Sequence, residues 1–181
     1  MFRQLSAALI IACLAVPAWA GAAQRKNLQV LNDVFKQVST YSMFTIFDDV
    51  SAAIENGVVT LTGRVTMPYK KQDLEKRVAR VDGVEEIHNL IGVLPVSQFD
   101  NDLRYQIAKA IYGHPSFWMY ATMAVPPIHI VVEQGHVTLT GVVNSEVDKM
   151  LARSLASQSQ AFSVKSELRT EAEVKRALEG V

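Results

Sequence analysis

The sequence predicts an α+β protein in which one helix–strand–strand–helix–strand unit occurs twice. Three observations carry this. Residues 54–65 read Ile-Glu-Asn-Gly-Val-Val-Thr-Leu-Thr-Gly-Arg-Val and residues 132–143 read Val-Glu-Gln-Gly-His-Val-Thr-Leu-Thr-Gly-Val-Val, so the block at 59–63 recurs unchanged at 137–141. Apolar residues follow a period of two around each block and a helical period on either side of it. Hydrophobic residues make up 49% of the 181, enough for packed cores and too many for a disordered chain.

The N-terminus reads as an address. Arg3 is the only charge in Met1–Gln4, and Leu5–Val16 is apolar but for Ser6. Pro17 follows, then Ala18-Trp19-Ala20 supplies the small-x-small pattern for cleavage between Ala20 and Gly21. The apolar run falls short of the ~20 residues that span a bilayer. A secretory signal over residues 1–20 is expected, with export to the periplasm. The rival is a lipoprotein anchored at Cys13, because Ile10-Ile11-Ala12-Cys13 resembles a lipobox. Against it, the apolar run continues past Cys13 through Leu14, Ala15 and Val16.

Two units then follow, over residues 27–95 and 98–181, with the linker at Pro95–Asp100. Leu28, Leu31, Phe35 and Val38 are spaced for a first helix. Asn56-Gly57 marks a two-residue hairpin turn, since both positions need positive φ. Val59, Leu61 and Val65 alternate with Thr60, Thr62 and Arg64, giving one packed and one wet face. Gly63, inside that strand, signals a bulge or a close backbone approach. Leu74, Val78 and Val81 form a second helical stripe stopped by Gly83, and a strand runs from Ile87 to Val93. In the second unit the helix carries Leu103, Ile107, Ala110 and Ile111, and Ile128, Ile130 and Val132 lead to the turn at Gln134-Gly135. Gly141 repeats Gly63. Val147, Met150, Leu151 and Leu155 form the next stripe, and a strand starts near Val164 after a one-residue deletion near Ser163. Thr170-x-x-Glu173 is a capping box that opens a short C-terminal helix ending near Gly180.

Composition excludes several functions. The chain has 18 Lys+Arg against 18 Asp+Glu, whereas a nucleic-acid surface needs a basic excess. One cysteine excludes a disulfide framework and a cysteine-rich zinc site. His88, His114, His129 and His136 lack zinc-motif spacing, and His129 and His136 meet only if the hairpin register allows it. Asp48-Asp49 and Glu85-Glu86 read as solvated turn charges, because strand neighbours point to opposite faces. No nucleophile elbow or phosphate loop occurs. The reading is a non-enzymatic protein with no catalytic, cofactor-binding or metal residues.

Gly57-Val58-Val59-Thr60-Leu61-Thr62-Gly63-Arg64-Val65, then Gly83-Val84 and Ile87-His88-Asn89-Leu90-Ile91, resembles the BON (bacterial OsmY and nodulation) domain. The second unit carries the hairpin as Gly135-His136-Val137-Thr138-Leu139-Thr140-Gly141-Val142-Val143 and departs afterwards, with Ala161-Phe162 for Gly-Val and Ser166 for the Asn. The resemblance implies tandem αββαβ domains, each a three-stranded sheet covered by two helices. It also implies a role at the envelope: binding phospholipid surfaces in membrane maintenance or osmotic-stress protection, with ion binding in some relatives. The alternative class is an adaptor that recognises an envelope protein by adding a strand to a sheet edge.

Two surfaces are candidates for contact. Tyr112–Pro127 packs four aromatics, two Met and three Pro into a stretch whose counterpart, Ser39–Asp49, is shorter. Phe117, Trp118, Met119 and Tyr120 are the candidate membrane or partner contact, since Trp and Tyr favour the headgroup level. The bland alternative is glue within or between the domains. Lys70, Lys71 and Arg77 are the candidate anionic-lipid contact, although Asp73, Glu75 and Asp82 interleave with them as on an ordinary salt-bridged helix face.

Overall fold

The computed structural model describes residues 18–179, and the expected signal segment, Cys13 included, lies almost wholly outside them. Ala20 and Gly21 fall in the first turn of helix α1 (Ala18–Ser39). Each repeat then forms the expected hairpin: β1 (Asp49–Glu55) with β2 (Val58–Val65), and later β5 (Ile128–Glu133) with β6 (His136–Val143). Turn residues Asn56 and Gly57 have φ of 49° and 81°, and Gln134 and Gly135 have 54° and 78°. Two successive left-handed residues match the right-handed twist of the strands they join.

Helix α2 (Pro68–Val78) returns the chain so that β3 (Glu86–Asn89) and β4 (Gly92–Val93) pair in parallel with β2. The second repeat does the same with α3 (Gln98–Tyr112), the one-turn α4 (Trp118–Ala121), α5 (Glu146–Ser157), β7 (Ser163–Ser166) and β8 (Arg169–Thr170). Both sheets are therefore mixed, with the hairpin's second strand at the centre. The chain closes on α6 (Glu171–Glu179). Its capping box is formed: Glu173 N–H donates to Thr170 Oγ1 at 3.2 Å, and Thr170 N–H to Glu173 Oε2 at 2.8 Å.

Gly63 and Gly141 mark close approaches, not bulges. Pairing runs unbroken through Gly63, opposite Val50, and Gly141 forms the end pair of its hairpin, opposite Ile128. Their φ values are +119° and +116°, and a Cβ there would drive into the carbonyl oxygens of Asp49 and Pro127.

The third strand departs from a continuous run. After Asn89 the backbone kinks, and Asn89 Oδ1 accepts the Ile91 N–H at 3.2 Å while Nδ2 donates to the Lys71 carbonyl at 3.1 Å. The inward phase runs on through Ile91 and changes only after it, so Ile91 and Leu94 are buried and Val93 faces out. The second repeat is interrupted likewise between β7 and β8 but keeps its phase, so Leu168 and Thr170 are both buried as the alternation predicts. Ser166, standing where Asn89 does, leaves its buried hydroxyl without a partner among the described residues.

Each repeat has its own core, and the helical faces differ from those expected. On α1 the buried row is Val30, Val34 and Val38, while Leu28 and Phe35 are about half exposed. On α5 it is Ala152 and Ala156, flanked by Leu151 and Leu155; Val147 and Met150 face water. Small or β-branched residues let a helix lie close to a pleated sheet, so the bulkier neighbours are turned aside. On α2 and α3 the expected rows, Leu74–Val78 and Leu103–Ile107–Ile111, are buried.

The linker is shorter than expected. Ser97 caps α3 by accepting the Asp100 N–H at 3.2 Å, so Asp100 is already helical. Its buried carboxylate accepts the N–H groups of Gln134 and Gly135 at 2.9 and 2.8 Å. One turn on, buried Arg104 donates to the Val132 carbonyl at 2.5 Å. Helix α3 thereby holds both the turn and the strand of its hairpin.

Candidate functional site

The aromatic stretch divides into core and surface. Ser116 and Pro115 start a short 3-10 turn that runs into α4, a geometry that turns alternate rings inward and outward. Phe117 is wholly buried and stacks on Tyr120 at 5.7 Å. Tyr112 Oη donates to the Ile128 carbonyl and accepts the Ile128 N–H at 3.2 Å, which fixes the start of β5. Burial pushes the Tyr112 phenol far above its ordinary value and raises that of Tyr120. Trp118 and Met119 project the other way, 62% and 58% exposed. Of the four residues expected at the contact, Phe117 and Tyr120 are therefore core, and only Trp118 and Met119 are free to touch anything.

Tyr120 has a counterpart of different chemistry in the first repeat. There buried Asp48 accepts the Thr66 N–H at 2.7 Å, the Thr45 N–H at 2.8 Å and the Lys70 ammonium at 2.6 Å. In the second repeat, Tyr120 Oη accepts the Asn144 N–H at 2.9 Å and donates to Asp148 at 3.4 Å. Asn144 and Asp148 stand at the repeat positions of Thr66 and Lys70. Both devices tie the end of the central strand to the start of the following helix. Asp48 is thus no solvated turn charge. Burial alone would raise its pKa, but the bonds from Lys70, Thr66 and Thr45 outweigh it and hold the carboxyl below its ordinary value.

The expected basic patch is corrected by the same network. Lys70 is 3% exposed and committed to Asp48 and to Thr66 Oγ1 at 2.7 Å, so it cannot meet a lipid headgroup. Arg77 Nε donates to the Gln37 carbonyl at 3.0 Å, and its guanidinium lies 5.5 Å from the centre of the Tyr41 ring. It clamps the C-terminal end of α1, where orphan carbonyls favour a cation. Tyr41 donates to Asp73 at 2.8 Å, and burial together with that carboxylate pushes its pKa up to about 12. Half-buried Lys71 and the exposed Lys76 and Arg80 remain as cations on this segment, interleaved with Asp73, Glu75 and Asp82.

Between the repeats lies a cleft of about 680 Å³. The loop before β1 crosses to the second repeat, where the Ile130 N–H donates to the Ile46 carbonyl at 2.7 Å and His129 Nδ1 donates to the Asp48 carbonyl at 2.6 Å. Ile46 and Phe47 pack against the second core, and Arg64 pairs with Glu133 at 3.3 Å. Phe35, turned off the α1 core face, lines the cleft with Phe44, Val50, Val125, Val142 and Val174. Thr140, which also lines the cleft, has a buried hydroxyl with no partner among the described residues.

The hairpin register sets Thr140 opposite His129 and Glu133 opposite His136, so the two histidines do not meet. Among the described residues no three His, Cys, Asp or Glu side chains are grouped to hold a metal, and no helix is long and apolar enough to cross a membrane. Sequence reasoning missed the stacked pair Phe99–Phe162, 5.7 Å apart over Gly135, whose partners come from opposite ends of the repeat. It also missed Asp100 and Arg104, which carry no signal in a helix with ordinary charge spacing. The cleft's one legible trace was the longer segment of the second repeat, since Phe35 reads from sequence as part of the α1 core stripe.

The chain can now be compared with known proteins. The BON domain model matches residues 45–95 and 100–172. No curated protein matches in sequence. Among solved structures, the chain is similar to CdsD, a structural protein of the type III secretion system of Chlamydia trachomatis, at 14% identity over 83% of this chain and 97% of that one, with a TM-score of 0.29. The C-terminal domain of CdsD gives 11% identity over 79% and 98%, again at 0.29. The repeated hairpin, its turn and mid-strand glycines and the two family matches agree: this chain belongs to the BON domain family, which it carries as two tandem copies.

Proposed function

We propose that this envelope-type binding module works in the periplasm, without catalysis, by lying on phospholipid membrane surfaces in membrane maintenance or osmotic-stress protection. The observation that carries this is the placement of Trp118 and Met119. They project into solvent from a turn pinned from below by buried Phe117 and Tyr120. A rigid, exposed tryptophan beside a flexible apolar side chain suits the interfacial layer, where an indole keeps one edge wet. With Lys70 buried, Arg77 clamped, and Lys71, Lys76 and Arg80 interleaved with acidic residues, the attraction rests on apolar insertion more than on charge.

Co-flotation of the chain with phosphatidylethanolamine–phosphatidylglycerol vesicles tests this. Binding should persist in salt concentrated enough to screen surface charges. Failure to float with any vesicle would refute it. The adaptor reading has one observation of its own. Among the described residues the outer edge of β3 is unpaired, beside a groove of about 520 Å³ against α2 lined by Glu75, Lys76, Glu86 and Ile87. A captured envelope protein whose binding is lost on mutating that groove would favour it.

A further inference from the structure

We propose that the cleft between the repeats holds one zwitterionic, single-chain amphiphile, its aliphatic chain inside and its headgroup at the mouth. The cleft has the volume of a small-molecule site and a mainly apolar wall built from both repeats. Its wall includes Phe35, which the fold leaves half exposed and does not use in the core of the first repeat. Val125, from the longer segment of the second repeat, closes another side. A chain of methylenes would cover this apolar surface and leave no polar group of its own unpaired.

The polar groups of the wall include Ser39, Ser51 and His129, whose Nδ1 is already spent on the Asp48 carbonyl. The Thr140 hydroxyl is buried without a partner, an uncommon and costly state that an ester or hydroxyl group of a ligand would relieve. Asp49, Glu167 and Arg169 also line the cleft. Glu167 is engaged by Lys165 at 2.6 Å, whereas Arg169 and Asp49 have no ion-pair partner among the described residues. One free cation and one free carboxylate complement a headgroup carrying both a phosphate and an ammonium. A plain anion would gain Arg169 but meet the carboxylates, and a plain cation the reverse. The inference takes its ligand class from the phospholipid reading, but its geometry does not involve Trp118.

The test uses the whole chain and 1-lauroyl-lysophosphatidylethanolamine below its critical micelle concentration, read by native mass spectrometry and isothermal titration. Saturable one-to-one binding is expected. Arg169→Gln should weaken it about tenfold, the size of a lost charge-assisted hydrogen bond. Val142→Trp, which fills the cleft, should abolish it, with circular dichroism confirming the fold. Lauryl maltoside, with the same chain and no charge, should bind at least about tenfold more weakly. Absence of saturable binding, or equal binding by wild type and Arg169→Gln, would overturn the proposal. Because no vesicle is present and Trp118 does not line the cleft, this result is independent of the flotation result.

Discussion

Lys70 Nζ lies 2.6 Å from Asp48 Oδ2 with both side chains buried, and in the second repeat the phenol of Tyr120 occupies the place of that carboxylate. The two repeats thus solve one packing problem with different chemistry. A buried ion pair is costly to break, because the surviving charge is left without water or a partner. Lys70→Met should therefore destabilise the first repeat by about 3–5 kcal/mol. Tyr120→Phe removes the bond from the Asn144 N–H and a long one to the part-exposed Asp148 carboxylate, strands no buried ion, and should cost about 1–2 kcal/mol. Urea denaturation followed by circular dichroism compares them, and equal losses would contradict this assignment.

Acid should act through the same carboxyl. Asp48 has its folded pKa held below the unfolded value, so its contribution to stability is fully present above the unfolded pKa of about 3.9. That contribution is lost as pH falls from there through the folded pKa. Asp48→Asn should be less stable than wild type near neutrality, and the gap should narrow in acid. A gap that stays constant from pH 7 to strongly acidic solution would contradict the linkage.

The kink in the third strand makes an asymmetric prediction. Asn89 serves both the Ile91 N–H and the Lys71 carbonyl, so Asn89→Ala should cost about 1–3 kcal/mol. Ser166 has nothing to lose, and Ser166→Ala should be neutral or slightly stabilising. Thermal unfolding of the two variants decides it.

Gly63→Ala and Gly141→Ala should each cost more than about 1 kcal/mol, because both require a left-handed backbone beside a carbonyl that leaves no room for a Cβ. Unchanged melting temperatures would show that the strands separate there more easily than the packing implies.

Much of this architecture was legible because backbone demands fall on few residue types. Asn56-Gly57 and Gln134-Gly135 announce the turns, and Thr170 with Glu173 announces the last helix. Helical faces were harder to read. Periodicity weighted Leu28, Leu31 and Phe35 for their size, yet valines at 30, 34 and 38 fit against the sheet. Charge was harder still. Nothing local distinguishes buried Lys70 from half-buried Lys71, since the partner that buries it, Asp48, arrives only through the fold. The aromatic segment was recognised as distinctive, but its division into pinning rings and projecting Trp118 depends on the turn at Pro115.

That division can be checked by stability. Phe117→Ala should cost about 3–5 kcal/mol as a core cavity, and Trp118→Ala no more than about 0.5 kcal/mol as a surface change. Chemical denaturation of both variants provides the comparison, and a large loss in Trp118→Ala would place that ring in the core.

The most direct measurement follows from a count of tryptophans. The chain has two, Trp19 and Trp118, and the proposed cleavage after Ala20 would leave Trp118 alone. Its emission, recorded while phosphatidylethanolamine–phosphatidylglycerol vesicles are added to the processed chain, reports on this contact and no other. Insertion at the interface predicts a saturable blue shift, protection from an aqueous quencher, and loss of flotation in Trp118→Ala. An emission spectrum that stays red and fully quenchable while the protein is bound to vesicles, or at every lipid concentration, would contradict the proposal that Trp118 meets the membrane.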